Sequence, residues 1–306
     1  MLLATLILPY GFSRVASPWR RVSIHSNRDA VYDGRPRPGH IRIASYNIAH
    51  GRGTVASNWD GGSHAERMAR MAQMASLLRK IDADVVVLNE VDFDASWSHS
   101  TNQARFLADN ANYPYRVEQR NLDFRILGWT WRFGNAVLSK YPISNAKAVS
   151  FPSYSWWETV LAGKKRGVVC DIETPERSVR VIGAHLSHRS ELVRVRSAAR
   201  LADVATASVL PTIVVGDLNS TPSGFPNSVS DFAGDNAIDV LDKSQYFRRS
   251  PEHPPIAASD FTFSSVEPRA IIDWILIPRE WNFEEYTVEP SELSDHRPVY
   301  ADVAPQ

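Results

Sequence analysis

The chain has only one cysteine, Cys170, in 306 residues. No disulfide can form within it, and cysteine usage carries no information about redox compartment. Cys170 lies in the apolar run Gly167 to Ile172, where a thiol packs as a small buried hydrophobe. A nucleophilic cysteine needs a polar, partly exposed setting. An excess of one charge is also missing: 34 Lys and Arg face 34 Asp and Glu. Neutralising phosphates drives the affinity of strong nucleic-acid binders, which usually show a basic surplus. The balance argues against bulk binding of that kind but leaves room for a local basic patch. Long apolar runs are lacking as well. Met1 to Phe12 is almost wholly apolar, yet too short to span a bilayer. Arg14, Arg20 and Arg21 follow it, whereas a signal peptide places its basic residues first. The segment reads either as the remnant of a leader or anchor or as a disordered start, and export or membrane attachment is the expectation. Internal repeats are absent.

What remains is an ordinary globular composition, 43% hydrophobic and 22% charged, long enough for one large domain or two small ones. Residues 22–40 are polar, contain Pro36 and Pro38, and read as a linker. Residues 1–39 are therefore set apart from a folded domain over 40–306, which has no break that would divide it. Apolar runs predict strands over Ile41 to Tyr46, Asp84 to Leu88, Asn135 to Ser139, Gly167 to Ile172, Val179 to Ala184, Thr212 to Val215, Ile271 to Ile277 and Pro298 to Asp302. Continuous apolar runs of this length suit strands buried on both faces. Ala65 to Ile81 carries Met68, Met71, Ala75 and Leu78 at helical spacing. Asn102 to Asn110 and Ser190 to Ser208 also read as helices, the latter with Arg194, Arg196 and Arg200 on its solvated side. Many strands mixed with helices suit a two-sheet core with helices outside.

Polar residues at the ends of these runs are the chemistry-bearing feature. Asn47 closes the first strand, where it could be a turn former or offer a carbonyl oxygen to a hard cation. Glu90 follows a buried strand, where a carboxylate is costly unless paired or metal-bound. Asp217 and Asn219 follow Thr212 to Val215; they share one side if the strand continues, though in isolation a turn explains Asp-x-Asn almost as well. Asp273 is embedded in Ile271 to Leu276 and needs a buried partner, for which a histidine is natural. Asp295 and His296 stand side by side before the last run. His185 and His188 are three apart and invite zinc, but no third soft ligand has suitable spacing. Mg²⁺ takes few protein carboxylates and retains waters, so one Glu and one Asp would suffice.

In this order, Tyr46-Asn47-Ile48, Asn89-Glu90, Gly134-Asn135-Ala136-Val137-Leu138-Ser139, Gly183-Ala184-His185-Leu186, Gly216-Asp217-Leu218-Asn219, Ile272-Asp273-Trp274-Ile275 and Ser294-Asp295-His296-Arg297-Pro298 resemble the endonuclease/exonuclease/phosphatase (DNase I-like) superfamily. The likeness runs from His40 to the C-terminus. It implies an α/β fold, a four-layer sandwich of two packed mixed sheets flanked by helices. It also implies a catalytic domain over 40–306 that hydrolyses phosphate esters with Mg²⁺, or with Mn²⁺ or Ca²⁺. By the same resemblance, Asn47, Glu90 and Asp295 surround the metal, and Asp273 orients His296. His296 assists the attacking water or steadies the phosphoryl charge. Asp217 and Asn219 position the nucleophile and phosphate, although in some members the Asp is the base. His185 supports the leaving group or the phosphate oxygens. Some family nucleases carry an acid two positions after the first-strand Asn. Here Ala49 stands there, which favours one metal over two.

Substrate choice rests on less. Leu127 to Phe133 and Tyr154 to Trp157 are aromatic clusters that could stack on bases, sit at a lipid interface or pack on the core. Lys164-Lys165-Arg166 could approach phosphate or lipid headgroups. Together with the neutral charge and apolar start, these lean towards a lipid, inositol or other small phosphodiester. A nuclease is the alternative, and a catalytically silent binding module on this fold the second. A monomer is expected.

Overall fold

The computed structural model describes residues 21–27 and 37–306 except 127, 162 and 229, together with Leu8, Gly11 and Phe12. The remainder of the apolar segment Met1 to Phe12, and residues 28–36 of the expected linker, lie outside the described residues. Among the described residues, no helix is long and apolar enough to cross a membrane.

Among the described residues, thirteen strands form two sheets. They are β1 (Val22–Ser26), β2 (Ile41–Asn47), β3 (Val85–Ala95), β4 (Tyr115–Ile126), β5 (Trp129–Ser139), β6 (Ile143–Ser150), β7 (Arg166–Glu173), β8 (Ser178–His185), β9 (Thr212–Asp217), β10 (Phe247–Arg249), β11 (Asp273–Pro278), β12 (Trp281–Val288) and β13 (Val299–Pro305). The larger sheet has the order β1-β4-β5-β3-β2-β13-β12, the smaller β10-β11-β9-β8-β7-β6. Pairing is antiparallel except for β2 with β3 and β8 with β9, so both sheets are mixed.

The apolar runs are continuous because each central strand is covered on both faces. Ile43, Val85, Val87, Val181, Val215 and Ile275 point inwards and meet between the sheets. Their neighbours Ala44, Tyr46, Val86 and Leu88 point outwards beneath α1 (His64–Ile81) and α2 (Gln103–Asn110). On the opposite side Ile182, Val214, Trp274 and Leu276 lie with residues of α4 (Glu191–Thr206) and α5 (Ala237–Lys243). A shorter helix, α3 (Trp156–Leu161), precedes β7. Helix α1 begins where Ser63 and Glu66 form a reciprocal capping box, which satisfies amide donors that the first turn leaves free. The order helix, sheet, sheet, helix is the expected four-layer sandwich. Cys170 is buried between the sheets, and burial pushes its thiol pKa up, so it is unreactive.

Three expectations change. Residues 22–26 are a strand paired with β4, not linker; Val22 packs against the inter-sheet core, an apolar contact too slight to stand out in a polar stretch. The strand expected over Asn135 to Ser139 begins earlier and takes in the aromatic segment before Gly134. Trp129 begins β5, and Trp131 stacks on Phe124 of β4 with centroids 5.3 Å apart. Arg194 is buried, while Arg196 and Arg200 are exposed. Its Nε donates to Glu191 Oε2 at 2.9 Å and its Nη1 to the Ser187 carbonyl at 2.8 Å. Glu191 Oε1 also accepts from Ser220 and from the first amide of α5. The pair thus joins two helices to the loop after β9.

Removing one partner of such a pair strands the other charge in the interior. Arg194→Met is expected to destabilise the protein by about 3 kcal/mol, measured as a lower urea midpoint at an unchanged slope.

Candidate active site

The two parallel pairs end at the same edge of the sandwich, and strand register brings the polar residues together there. His185 of β8 is the register partner of Asp217 of β9, which in turn partners Asp273 of β11. In the other sheet, Asn47 of β2 partners Asn89 of β3. Asn89 links the sheets: its Oδ1 accepts the Asp217 amide at 2.9 Å, and its Nδ2 donates to Asn135 Oδ1 at 2.9 Å. Asn135 then donates to Gln119 and to the Arg166 carbonyl. Gly216 has φ +143°, and a Cβ there would meet the Ala184 carbonyl oxygen at 1.9 Å. Only glycine lets β8 and β9 approach so closely beside Asp217.

Glu90 is not at a strand end. It interrupts β3 with φ +52° and a register shift between Leu88 and Val91, a conformation rarely held without support. The shift turns Glu90 towards the cleft, where His50, Arg52 and His185 face it. Asp217 and Asn219 do not share a strand face either. The strand stops at Asp217, whose Oδ1 accepts the Asn219 amide at 2.9 Å, and Asn219 has φ +51°. This is a turn closed by the Asp side chain. The other oxygen, Oδ2, accepts from Asn47 Nδ2 at 3.0 Å. Asn219 donates to the Leu186 carbonyl and stays beside the site.

Asp295 and His296 reach the cluster from the loop before β13. Ser294 donates to the Asn47 carbonyl at 2.7 Å, and the Ser265 N–H donates to the Asp295 carbonyl at 2.8 Å. His296 Nδ1 lies 2.9 Å from Asp273 Oδ2, and its Nε2 lies 3.7 Å from Asp217 Oδ2. On the other side of Asp217, His185 Nε2 is 3.6 Å from the same oxygen and 3.9 Å from Glu90 Oε1. The eight residues expected to carry the chemistry therefore gather in one cluster at this edge of the sandwich.

Two neighbours were not singled out. Arg52 spans the two carboxylates expected to hold metal, donating from Nη1 to Glu90 at 3.0 Å and from Nη2 to Asp295 at 2.8 Å. His50 forms a second His–Asp pair, with Nδ1 2.7 Å from Asp92 Oδ1 and Nε2 3.5 Å from Glu90. Their only signal was the short His50-Gly51-Arg52 sequence just after Asn47, because Asp92 and Asp295 are brought to them by the fold.

The electrostatics separate the two flanking histidines. Burial alone would favour neutral imidazole in both. At His296 that effect is outweighed by Asp273, Asp217 and the Asp273 hydrogen bond, and its pKa rises. At His185 burial is reinforced by the Lys165 charge, and its pKa falls well below the usual value. The surroundings thus favour the imidazolium form at His296 and the neutral form at His185. Burial raises the Asp217 pKa against the pull of His296. At Glu90 burial also disfavours the charge, but the charges of His50 and Arg52 overcome it and lower its pKa.

The donor set suits a hard cation. Glu90 and Asp295 converge on one guanidinium, an arrangement of negative charge that a divalent ion would also satisfy. Asp217, Asp273 and His296 also have ligand atoms within 4.8 Å of one another. In that group, however, the Asp273–His296 hydrogen bond already accounts for the close approach.

The sequence profile of the Endonuclease/Exonuclease/phosphatase family matches residues 44–296. No curated protein matches the chain by sequence. Solved structures of similar fold include an endonuclease/exonuclease/phosphatase from Beutenbergia cavernae DSM 12333. It has 19% identity and a TM-score of 0.64 over 87% of this chain and 72% of that one. The human Nocturnin catalytic domain, with bound sulfate, has 14% identity and a TM-score of 0.63 over 95% and 99% of the two chains. A mannosyl-6-phosphatase from Bacteroides thetaiotaomicron VPI-5482 has 17% identity and a TM-score of 0.60 over 86% and 99%.

Because Asp273 is a main source of the raised His296 pKa, Asp273→Asn should move that pKa downwards. The ring ¹⁵N titration of His296, followed by NMR in protein and variant, checks the direction; an unchanged midpoint would contradict the assignment.

Proposed function

Since the chain belongs to the endonuclease/exonuclease/phosphatase family, whose members are generally hydrolases of phosphoester bonds, we propose that it is a divalent-metal-dependent phosphoesterase acting on a small phosphate ester. The observation that carries this reading is the opposed pair His185 and His296, whose Nε2 atoms lie 3.6 Å and 3.7 Å from the same oxygen of Asp217.

Glu90 and Asp295, with the side-chain oxygen of Asn47, would hold the cation, which is Mg²⁺ in this reading. When bound, it would neutralise phosphate charge and acidify water. The remaining chemistry belongs to the chain. His296, kept protonated by Asp273, donates a hydrogen bond to a phosphoryl oxygen and steadies the charge that develops there. Asp217 and Asn219 orient the attacking water. Neutral His185 has a nitrogen free to accept or pass on a proton at the leaving-group side. For Glu90 and Asp295 to hold a cation, Arg52 would have to release them.

The size of the cleft supports a small substrate. A cavity of about 370 Å³ opens beside Glu90 and His185, within the range usual for small ligands. Trp157 lines it and, like Tyr154 and Trp156, is exposed; these rings suit a ligand with an apolar portion, as in a lipid phosphodiester. The mannosyl-6-phosphatase among the similar folds is named for a small phosphate ester.

Assays with Mg²⁺ on plasmid DNA, sphingomyelin vesicles, inositol phosphates and an aryl phosphodiester test this directly. Hydrolysis of a small or lipid ester is expected, falling at least 100-fold in Glu90→Ala and His296→Ala. Normal activity in either variant would exclude the mechanism, and plasmid nicking alone would transfer the protein to the nucleases. Arg52→Gln should also tighten Mg²⁺ binding several-fold in calorimetry, because the internal competitor for both carboxylates is gone.

A further inference from the structure

The cavity beside the reaction centre has a floor and wall that the chemistry above does not use. Glu90 and His185 line it, and so do Lys165, His188 and Arg189. Lys165 is set between α3 and β7 and faces the carboxylates of Glu90, Asp217 and Glu158 from beyond ion-pair distance. Its ammonium makes no hydrogen bond or ion pair among the described residues. Arg189 approaches Glu158 only to 3.9 Å, and Glu158 is already engaged with the Tyr154 amide at 2.9 Å. The His188 ring has no hydrogen-bond partner among the described residues. Three nitrogen-bearing side chains therefore line one cavity, and of the carboxylates near them only Glu158 comes within 4 Å of one, Arg189.

Of the three, Lys165 is partly buried while His188 and Arg189 are exposed, and a partly desolvated cation is costly unless something pairs with it. Burial, the largest influence, pushes the Lys165 pKa down against the three carboxylates, and burial together with Lys165 and Arg189 does the same to His188. A small anion placed among them would relieve that cost and hydrogen-bond all three, with Arg and Lys being the side chains best suited to phosphate.

We propose that Lys165, His188 and Arg189 form a second phosphate subsite, so that the substrate is a small molecule bearing another phosphoryl group on the side of its leaving group. The proposal rests on the phosphoesterase reading for the identity of the scissile bond, but the subsite stands on its own geometry. His185, between the two sites, faces the reaction centre through Asp217 and Glu90 and the subsite across the cavity. A substrate that bridged them would be anchored at both ends, which fixes the reacting phosphate in position.

Calorimetric titration of the full chain with inorganic phosphate, in EDTA so that no metal contributes, tests the subsite without reading hydrolysis. Binding is expected in the unaltered protein, at least tenfold weaker in Lys165→Gln and in Arg189→Gln, largely restored in Lys165→Arg, and retained in His296→Gln. Arg189 is well exposed, with 55% of its side chain accessible, so its replacement separates lost binding from lost folding. Absence of phosphate binding would overturn the proposal. So would an affinity that falls with His296→Gln and not with the subsite variants, or equally with both, since either places the anion in the reaction centre. Failure of every substrate assay alongside normal phosphate binding would instead reject the phosphoesterase reading and keep the subsite.

Discussion

The Asn89 side chain is the contact on which the site depends. Its amide bridges the two sheets, accepting from the Asp217 backbone and donating to Asn135, which continues to Gln119 and the Arg166 carbonyl. Asn89 and Asn135 are both fully buried. A buried amide needs its partners, because an unsatisfied polar group in the interior carries the full cost of desolvation. Apolar packing between the sheets would tolerate a slide of one over the other; this chain of oriented hydrogen bonds does not. It therefore sets Asn47 and Glu90, on one sheet, against His185, Asp217 and Asp273, on the other.

Within that frame, environment divides residues of the same type. His185 and His296 lie at similar distances from Asp217, and both are buried. What differs is the second neighbour: Asp273 stands behind His296, while Lys165 contributes positive charge near His185. One ring is kept charged and the other neutral, as an acid–base pair requires. A similar pairing recurs at His50 and Asp92, whose charge joins that of Arg52 in keeping Glu90 ionised. Positive charge thus surrounds each end of the cleft, with the carboxylates between.

Much of the fold was legible because burial on both faces of the central strands imposes continuous apolar runs. β2, β7, β8, β9 and β13 lie close to where those runs place them. Strands with one exposed face were harder. β12 has only two buried residues, Trp281 and Val288, and β1 has none, so neither has a run to mark it. Local reading also failed where a distant partner decides the outcome. Arg194 looked solvated on helical spacing alone, but Glu191 and the loop after His185 enclose it. Glu90 looked like a strand terminus because nothing in Val85 to Leu88 announces that β3 resumes after a residue with positive φ.

The sequence alone determined the set of groups available for chemistry: the strand-end Asn and Asp residues, Glu90, the two histidines and Asp295. Polar side chains beside long apolar runs are rare enough to be noticed, and their order carries the family likeness. Tertiary structure decided which of them touch and in what protonation state, since pKa depends on burial and on charges from segments far apart in the chain. It also brought in Arg52 and His50, and turned Lys165, His188 and Arg189 towards a common cavity. Those roles are properties of neighbours, and neighbours across two sheets are fixed only when the sheets close on each other.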